Sequence, residues 1–158
     1  MADARPLNVR ASGNFRLEED VDPRMIQAIT QTMIGEFLWK YTRKTGRSGH
    51  SNNRHRRFFW IHPYTRTLYW SVQDPAGNNG STRVESQAKS VGIEAIRVVS
   101  DDNGIPPGLH GKSIVVVTTG RSIKFTAPTA QRHETWFNAL SYLLLLSLIH
   151  ISEPTRPY

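Results

Sequence analysis

Eight basic side chains are concentrated in one quarter of this 158-residue chain. They lie between positions 36 and 72, in the order Lys40, Arg43, Lys44, Arg47, Arg54, Arg56, Arg57 and Arg66. Glu36 is the single acidic residue of that segment. The segment therefore has a charge of +7, which equals the formal net charge of the whole chain. A localised basic face predicts an anionic partner, which is a membrane surface, a nucleic acid or an acidic protein. The alternative is a solvated surface without a partner.

An aromatic hairpin holds the second half of these cations. The sequence RHRRFFWIHPYTRTLYW, Arg54 to Trp70, predicts an apolar strand up to Ile61, a turn over 62–66 and a returning strand from Thr67. Aromatic and β-branched residues bounded by a proline-containing polar segment are typical of such a hairpin. Ile34 to Lys44 predicts the preceding strand, and the polar residues 45–53 predict a loop between them. The cations are therefore expected at the neighbouring ends of two strands.

The rest of the chain predicts more strands and then one helix. Strands are expected at 89–99, which Gly92 bends or divides, at 113–119 and at 122–127. After Pro128 the apolar residues recur at helical spacing and include Trp136 and Leu140. Residues 25–33 have only a short helical pattern, which predicts a turn of helix or an irregular cap. This order predicts a mainly β barrel or pair of sheets with one C-terminal helix closing an open end.

We expect three segments along the chain. Residues 1–23 are polar and predict a flexible N-terminal segment, and residues 24–145 form the domain. Residues 146–158 contain LSLIHISEPTR, which resembles the translation of an adapter used in sequencing libraries, and we expect this tail to be foreign to the native protein. The longest apolar run is shorter than a membrane span requires.

The sequence gives no sign of catalysis or of a cofactor. The chain has no cysteine, which excludes disulfides and thiolate metal sites. His50, His55 and His62 do not follow a metal-ligand spacing. No nucleophile motif or paired-carboxylate site is evident, and glycine-rich phosphate loops are absent. We therefore predict a binding module that is not an enzyme. His55, among the arginines, would strengthen anion binding when protonated.

The arrangement resembles a pleckstrin homology domain, a seven-stranded bent barrel capped by a C-terminal α-helix with a core tryptophan. Trp136 matches that tryptophan. Phosphoinositide-binding members carry a lysine late in the first strand, which Lys40 matches, although Glu36 stands where a glycine is usual. They also carry a basic-x-Arg pair before two apolar residues, which His55-Arg56-Arg57-Phe58-Phe59 matches in part. The alternative register is Arg54-His55-Arg56.

The similarity is closest to the pleckstrin homology domain of fungal cortical anchor proteins required for nuclear migration. The segments IQAITQTMIGEFLWKYTRK, RRFFWIHPYTRTLYW and ETWFNALSYLL carry it. The resemblance implies binding of phosphatidylinositol 4,5-bisphosphate at the cytoplasmic face of the plasma membrane, at the cell cortex. It implies that dynein or organelle partners bind through regions outside this chain.

We expect the headgroup to be bound by five basic side chains, namely Lys40, Lys44, Arg54, Arg56 and Arg57. Arg43 and Arg47 are expected to attract anionic lipid more loosely. One alternative stays open, a protein- or nucleic-acid-binding module that uses the same basic aromatic face. A nucleic acid is the less favoured partner, because the aromatic residues alternate with other bulky residues and do not stand out singly.

Overall fold

The computed structural model describes residues 22–44, 49–76 and 87–152, with side chains up to 146. Two helices and seven strands form this part of the chain. In chain order they are α1 (Pro23–Ile34), β1 (Glu36–Arg43), β2 (His50–His62), β3 (Thr67–Ser71), β4 (Lys89–Gly92), β5 (Ala95–Ser100), β6 (Lys112–Thr118), β7 (Arg121–Thr126) and α2 (Ala130–Ser152). None of the helices in the described part is long and apolar enough to cross a bilayer.

The strands form one antiparallel sheet in the order β4-β3-β2-β1-β7-β6-β5. The edge strands β4 and β5 are consecutive in the chain, and the dipeptide between them bonds to both sides of the fold. Ile93 N–H donates to Arg66 O at 3.0 Å, and Glu94 N–H donates to Val117 O at 3.0 Å. The two edge strands do not pair with each other, so the sheet is open. The bonds of Ile93 and Glu94 nevertheless bring its two halves together around a single core.

That core confirms the predicted fold class, a mainly β domain with a C-terminal helix. Its fully buried side chains come from both halves of the sheet and from α2, and include Leu38, Phe59, Leu68, Ile114, Ile123, Phe125, Trp136 and Leu140. The Trp136 ring meets Phe59 and Phe125 edge to face, with centroids 6.4 and 5.9 Å away. Because α2 inserts these side chains at one end of the sheet, the strand ends at the other end remain open.

The structure corrects two element predictions. The segment over 25–33 is a three-turn helix, α1, where a turn or an irregular cap was expected. Its capping signals are in the sequence, because Asp22 accepts a hydrogen bond from Arg24 N–H at 2.9 Å, Pro23 begins the helix and Gly35 ends it. Packing on α2 adds the stabilisation that an isolated short helix lacks.

The second correction concerns the polar segment 45–53, of which residues 50–53 are already strand. The predicted strand over 89–99 is two strands, β4 and β5, divided after Gly92. Most of the predicted N-terminal segment, 1–21, and the last residues of the predicted foreign tail, 153–158, lie outside the described residues. The α2 backbone continues as helix through 146–152, into that tail.

Candidate anion-binding site

The open end of the sheet carries a cavity of about 450 Å³ surrounded by cations. It lies where β1 ends, β3 ends, and β4 and β7 begin. Its lining residues are Lys40, Thr42, Arg43, His55, Arg57, Trp70, Lys89 and Arg121. Five of these eight are lysine or arginine, and none of the described residues that line the cavity is acidic. The described lining residues therefore create a concentrated positive potential and include no carboxylate to balance it.

Strand alternation explains why these cations converge. Lys40 lies two residues after buried Leu38, and Arg57 lies two residues before buried Phe59. Side chains two apart on a strand share one face. Lys89 lies two residues before buried Val91, and Arg121 lies two residues before buried Ile123. All four cations are therefore on the core-facing side of their strands. The cavity is the solvent-filled extension of the core at the end that α2 does not close.

Lys40 lies deepest in this positive field. Burial, followed by the charges of Arg121, Lys89, Arg57 and Arg43, lowers the pKa of Lys40 from 10.5 to about 8. Its ammonium donates to Tyr41 O at 3.3 Å and lies 5.3 Å from the centroid of the Trp70 ring. Within the described residues no carboxylate reaches it. An anion in the cavity would stabilise the charged form of Lys40.

Arg121 approaches the same aromatic ring as Lys40. Its guanidinium carbon lies 5.7 Å from the Trp70 centroid. Burial, with a smaller contribution from Arg43, lowers the pKa of Arg121. Its Nε is buried and has no hydrogen-bond partner among the described residues. This donor is therefore available to an acceptor oxygen in the cavity.

Two histidines frame the site in different ways. His55 is directly opposite Lys40 in the β1–β2 register and lines the cavity as an exposed side chain. His50 is half-buried at the start of β2, and its Nε2 lies 3.0 Å from Ser122 O on β7. Burial lowers the pKa of His50, although the contact with Ser122 opposes this effect. His50 thus links β2 to the strand that carries Arg121.

The structure contradicts the expectation that Arg54 binds the headgroup. Its side chain has no exposed surface, and its guanidinium faces the opposite side of the sheet from Arg57. The guanidinium donates to Ile105 O at 3.0 Å, to Asn103 O at 2.9 Å, to Thr126 Oγ1 at 3.0 Å and to Pro106 O at 3.3 Å. Arg54 therefore fixes the loop between β5 and β6 and has no access to the cavity.

The charge of Arg54 is balanced within the same cluster. Asp101 Oδ2 lies 3.9 Å from Arg54 Nη1 and accepts hydrogen bonds from Tyr41 at 2.6 Å and Ser113 at 2.5 Å. Burial alone would raise the pKa of Asp101, but the hydrogen bonds from Ser113, Tyr41 and Asn103 lower it overall. A buried arginine satisfied in this way stabilises the fold locally and is expensive to truncate.

Arg56 also points away from the cavity. It is exposed, and its guanidinium carbon lies 3.7 Å from the centroid of the Phe37 ring on the outer face of the sheet. The structure thus separates Arg56 from Lys40 and Arg57, with which it was grouped. Arg43 lines the cavity, and Lys44 is exposed just beyond it without lining it. Arg47 lies outside the described residues.

Two lining cations were missed by the sequence reasoning. Lys89 and Arg121 are 49 and 81 residues beyond Lys40. The signal that finds them is the two-residue spacing from a buried strand residue, Val91 for Lys89 and Ile123 for Arg121. The predicted site used only the basic residues of the first two strands, and this spacing occurs in β4 and β7.

A second cavity, of about 460 Å³, lies on the outer face and is mostly apolar. It is lined by Met33, Ile34, Phe58, Trp60, His62, Tyr69, Asp74, Pro75, Ala76 and Ala88. Trp60 and Tyr69 stack there with centroids 5.3 Å apart. No lysine or arginine is among its described lining residues. The aromatic cavity and the cationic cavity are therefore separate surfaces.

Comparison with known proteins agrees with this architecture. Residues 24–146 match the family model described as the meiotic cell cortex C-terminal pleckstrin homology domain. The pleckstrin homology domain of human oxysterol-binding protein-related protein 11 superposes with a TM-score of 0.51 at 15% identity, covering 78% of this chain and 92% of that one. That likeness concerns the fold alone.

Two curated relatives are much closer in sequence. Anucleate primary sterigmata protein A of Emericella nidulans is 69% identical over 124 residues, which are 78% of this chain and 7% of that protein. Nuclear migration protein NUM1 of Saccharomyces cerevisiae is 49% identical over 131 residues, which are 83% of this chain and 5% of that protein. This chain thus spans less than a tenth of either relative. It belongs to the cortical pleckstrin homology family, whose domains are non-catalytic anchoring modules.

Proposed function

We propose that this domain targets a larger cortical protein to the plasma membrane by binding a phosphoinositide headgroup in the cationic cavity. The observation that carries the proposal is the convergence of Lys40, Arg43, Arg57, Lys89 and Arg121, with no acidic residue among the described residues that line the cavity. Phosphatidylinositol 4,5-bisphosphate is the favoured lipid, because its headgroup concentrates phosphate charge in a small volume. Arginine donates to such phosphates through a planar fork, and lysine acts as a compact point charge.

Electrostatic repulsion in the free protein supports this assignment. Clustered cations destabilise one another, and the pKa of Lys40 is lowered by burial first and then by this repulsion. A polyanionic ligand turns the same arrangement into a favourable interaction. The buried Nε of Arg121 would gain a phosphate oxygen as its acceptor. A site with these properties is suited to a multiply charged anion.

The surrounding residues have supporting roles in the proposal. Trp70 forms an aromatic floor beneath Lys40 and Arg121 and limits how deep a headgroup can enter. Arg43, Lys44 and Arg47 would attract the anionic bilayer before the headgroup docks, each contributing of order 1 kcal/mol near the surface. Arg54 and Arg56 have no part in binding.

This assignment places the domain at the cytoplasmic face of the plasma membrane, at the cell cortex. We propose that dynein-dependent nuclear migration, with its dynein and organelle partners, uses regions of the larger protein outside this chain. The names of the two relatives, which refer to nuclear migration and to anucleate primary sterigmata, support the part of this role that concerns nuclear migration.

The alternative, a protein- or nucleic-acid-binding module on a basic aromatic face, receives less support. Base stacking on such a face needs exposed aromatic rings and cations side by side. Here Trp60 and Tyr69 line the outer cavity together with Asp74, whereas the clustered cations line the inner one. A phosphoinositide headgroup, in contrast, needs only the cations that already line one cavity.

A vesicle sedimentation assay tests the proposal. Three compositions separate the possibilities: neutral phosphatidylcholine alone, phosphatidylcholine with phosphatidylinositol 4,5-bisphosphate, and phosphatidylcholine with phosphatidylserine at equal total charge. We expect binding to be strongest to the phosphoinositide vesicles. Equal binding to the two anionic compositions would show a non-specific charge interaction and would exclude a headgroup site.

A further inference from the structure

Val72 is an exposed apolar side chain at the rim of the cationic cavity. It directly follows β3, whose residue Trp70 lines the cavity, and 66% of its surface is exposed. Ser71 pairs with Phe58, so continuing the antiparallel register by one residue places Val72 at the level of Arg57. The residue is therefore beside a cation of the proposed headgroup site.

The local backbone presents this side chain outward. The hydroxyl of Ser71, which is itself buried, donates to Gln73 O across a bend in the backbone at Val72. A bend held by this hydrogen bond gives the valine a defined position, so little ordering is needed when it meets a partner.

The other large exposed apolar side chains of the described residues lie on other elements, and those of β5, the β5–β6 loop and α2 are Val98, Ile105 and Leu145. Ile26, Met33 and Ile34 belong to α1, and Tyr64 lies in the turn at the opposite end of β2 and β3. Around Val72 the strand ends carry cations, including Arg43, Lys89 and Arg121. An apolar residue among cations at one end of a sheet matches a bilayer surface, where anionic headgroups overlie hydrocarbon.

We propose that the open end of the sheet faces the bilayer and that Val72 enters its apolar layer when the headgroup is bound. The inference rests on the proposed function, because the cationic cavity sets the orientation. It adds a second element to membrane binding, since a headgroup contact and an apolar contact together hold a peripheral protein more firmly than either does alone. In this orientation α1 and the outer aromatic cavity do not face the bilayer.

Site-specific labelling tests the position of Val72 directly. The chain has no cysteine, so Val72→Cys gives a single attachment point for an environment-sensitive fluorophore. Val98→Cys is the matched control, because Val98 is also exposed but lies on the distant edge strand β5. With phosphoinositide vesicles we expect a blue shift at position 72 and none at 98. No shift at 72, while the labelled protein still sediments with the vesicles, would overturn the inference.

A polar substitution separates insertion from headgroup binding. Val72→Asn should weaken binding to phosphoinositide vesicles about 10-fold, the transfer free energy of about one buried valine. Its affinity for soluble inositol 1,4,5-trisphosphate should equal that of the wild type, and Val98→Asn should change neither. Loss of both affinities would show that Val72 shapes the cavity, and loss of neither would show that it stays outside the bilayer. A wild-type protein that binds neither ligand would refute the proposed function itself.

Discussion

Arg54 and Arg57 lie three residues apart on β2 and project from opposite faces of the sheet. Arg57 lines the cationic cavity, whereas the Arg54 side chain is fully buried against the loop between β5 and β6. Two arginines in one short basic run therefore have different roles, one in the proposed binding site and one in the fold. Substituting each alone separates these roles.

Arg54→Ala should destabilise the domain. The substitution removes four hydrogen bonds and leaves Asp101 without its buried cation, so we expect a loss of about 3 kcal/mol in the free energy of unfolding. Chemical denaturation measures this loss. Arg56→Ala is the matched control and should change stability by less than about 1 kcal/mol, because Arg56 is exposed and loses only its surface contact with the Phe37 ring. Equal stability of the two variants would contradict the role assigned to Arg54.

Arg121→Ala should weaken headgroup binding without harming the fold. The loss of one charge-assisted hydrogen bond predicts an affinity for inositol 1,4,5-trisphosphate lower by about 10-fold or more. Stability should stay equal or rise slightly, since one of the mutually repelling cations is removed. Arg97→Ala on β5 removes the same charge at an exposed position far from the cavity and should have little effect in the same calorimetric titration.

Headgroup affinity should fall as pH rises above 8. The pKa of Lys40 is about 8 in the free protein, and a bound polyanion raises it, so binding above pH 8 requires Lys40 to take up a proton. Affinity should then decrease by up to about 10-fold per pH unit between pH 8 and 9.5. Lys40→Arg should remove this dependence. A wild-type affinity that is constant over the range would show that Lys40 does not contact the ligand.

The same shift predicts how the free domain responds to pH. The folded-state pKa of Lys40 lies below its ordinary value of 10.5, so between pH 8 and 10.5 the unfolded chain binds more protons than the folded one. Lys40 therefore makes stability rise with pH in that window. Allowing for its partial exposure, we expect about 1 kcal/mol between pH 7.5 and 9.5. Lys40→Met should remove this gain in urea denaturation at the two pH values.

Gly35, between α1 and β1, should not tolerate a side chain. Its φ is +91°, and a Cβ there would approach Phe59 O to 2.6 Å and a Phe58 ring carbon to 2.7 Å. We expect Gly35→Ala to cost about 2 kcal/mol or more in unfolding free energy. Gly120→Ala is the control, because Gly120 has a φ of +81° with no heavy atom within 4 Å of the added Cβ. It should cost about 1 kcal/mol, and the difference measures the steric contribution.

The sequence predicts the elements of this fold well where local patterns decide them. The aromatic hairpin, the strands β6 and β7 and the helix that carries Trp136 all follow from periodicity and turn residues. Helix α1 was predicted too short, because its pattern is brief and part of its stabilisation comes from α2. Arg132 of α2 donates to Gln31 at 3.0 Å and pairs with Glu36, and neither partner is visible from a local pattern.

The site was predictable in part. Lys40 and Arg57 follow from the strand pattern and from the family resemblance, and the structure places both in one cavity. Arg54 was expected in the site but is buried, because its partners lie 47 to 72 residues away, in the loop between β5 and β6 and at the end of β7, where only the fold places them. Lys89 and Arg121 were missed because they come from later strands, although their spacing from buried residues marks them.

Calorimetric titration with inositol 1,4,5-trisphosphate tests the central claim most directly, that the cationic cavity is the headgroup site. The double variant Lys40→Ala with Arg57→Ala removes two cations from the cavity, and Arg56→Ala with Arg97→Ala removes two exposed cations outside it. We predict at least a 100-fold loss of affinity for the first, from about 1.5 kcal/mol or more per charge-assisted contact, and wild-type affinity for the second. Equal losses in the two charge-matched variants would contradict the claim.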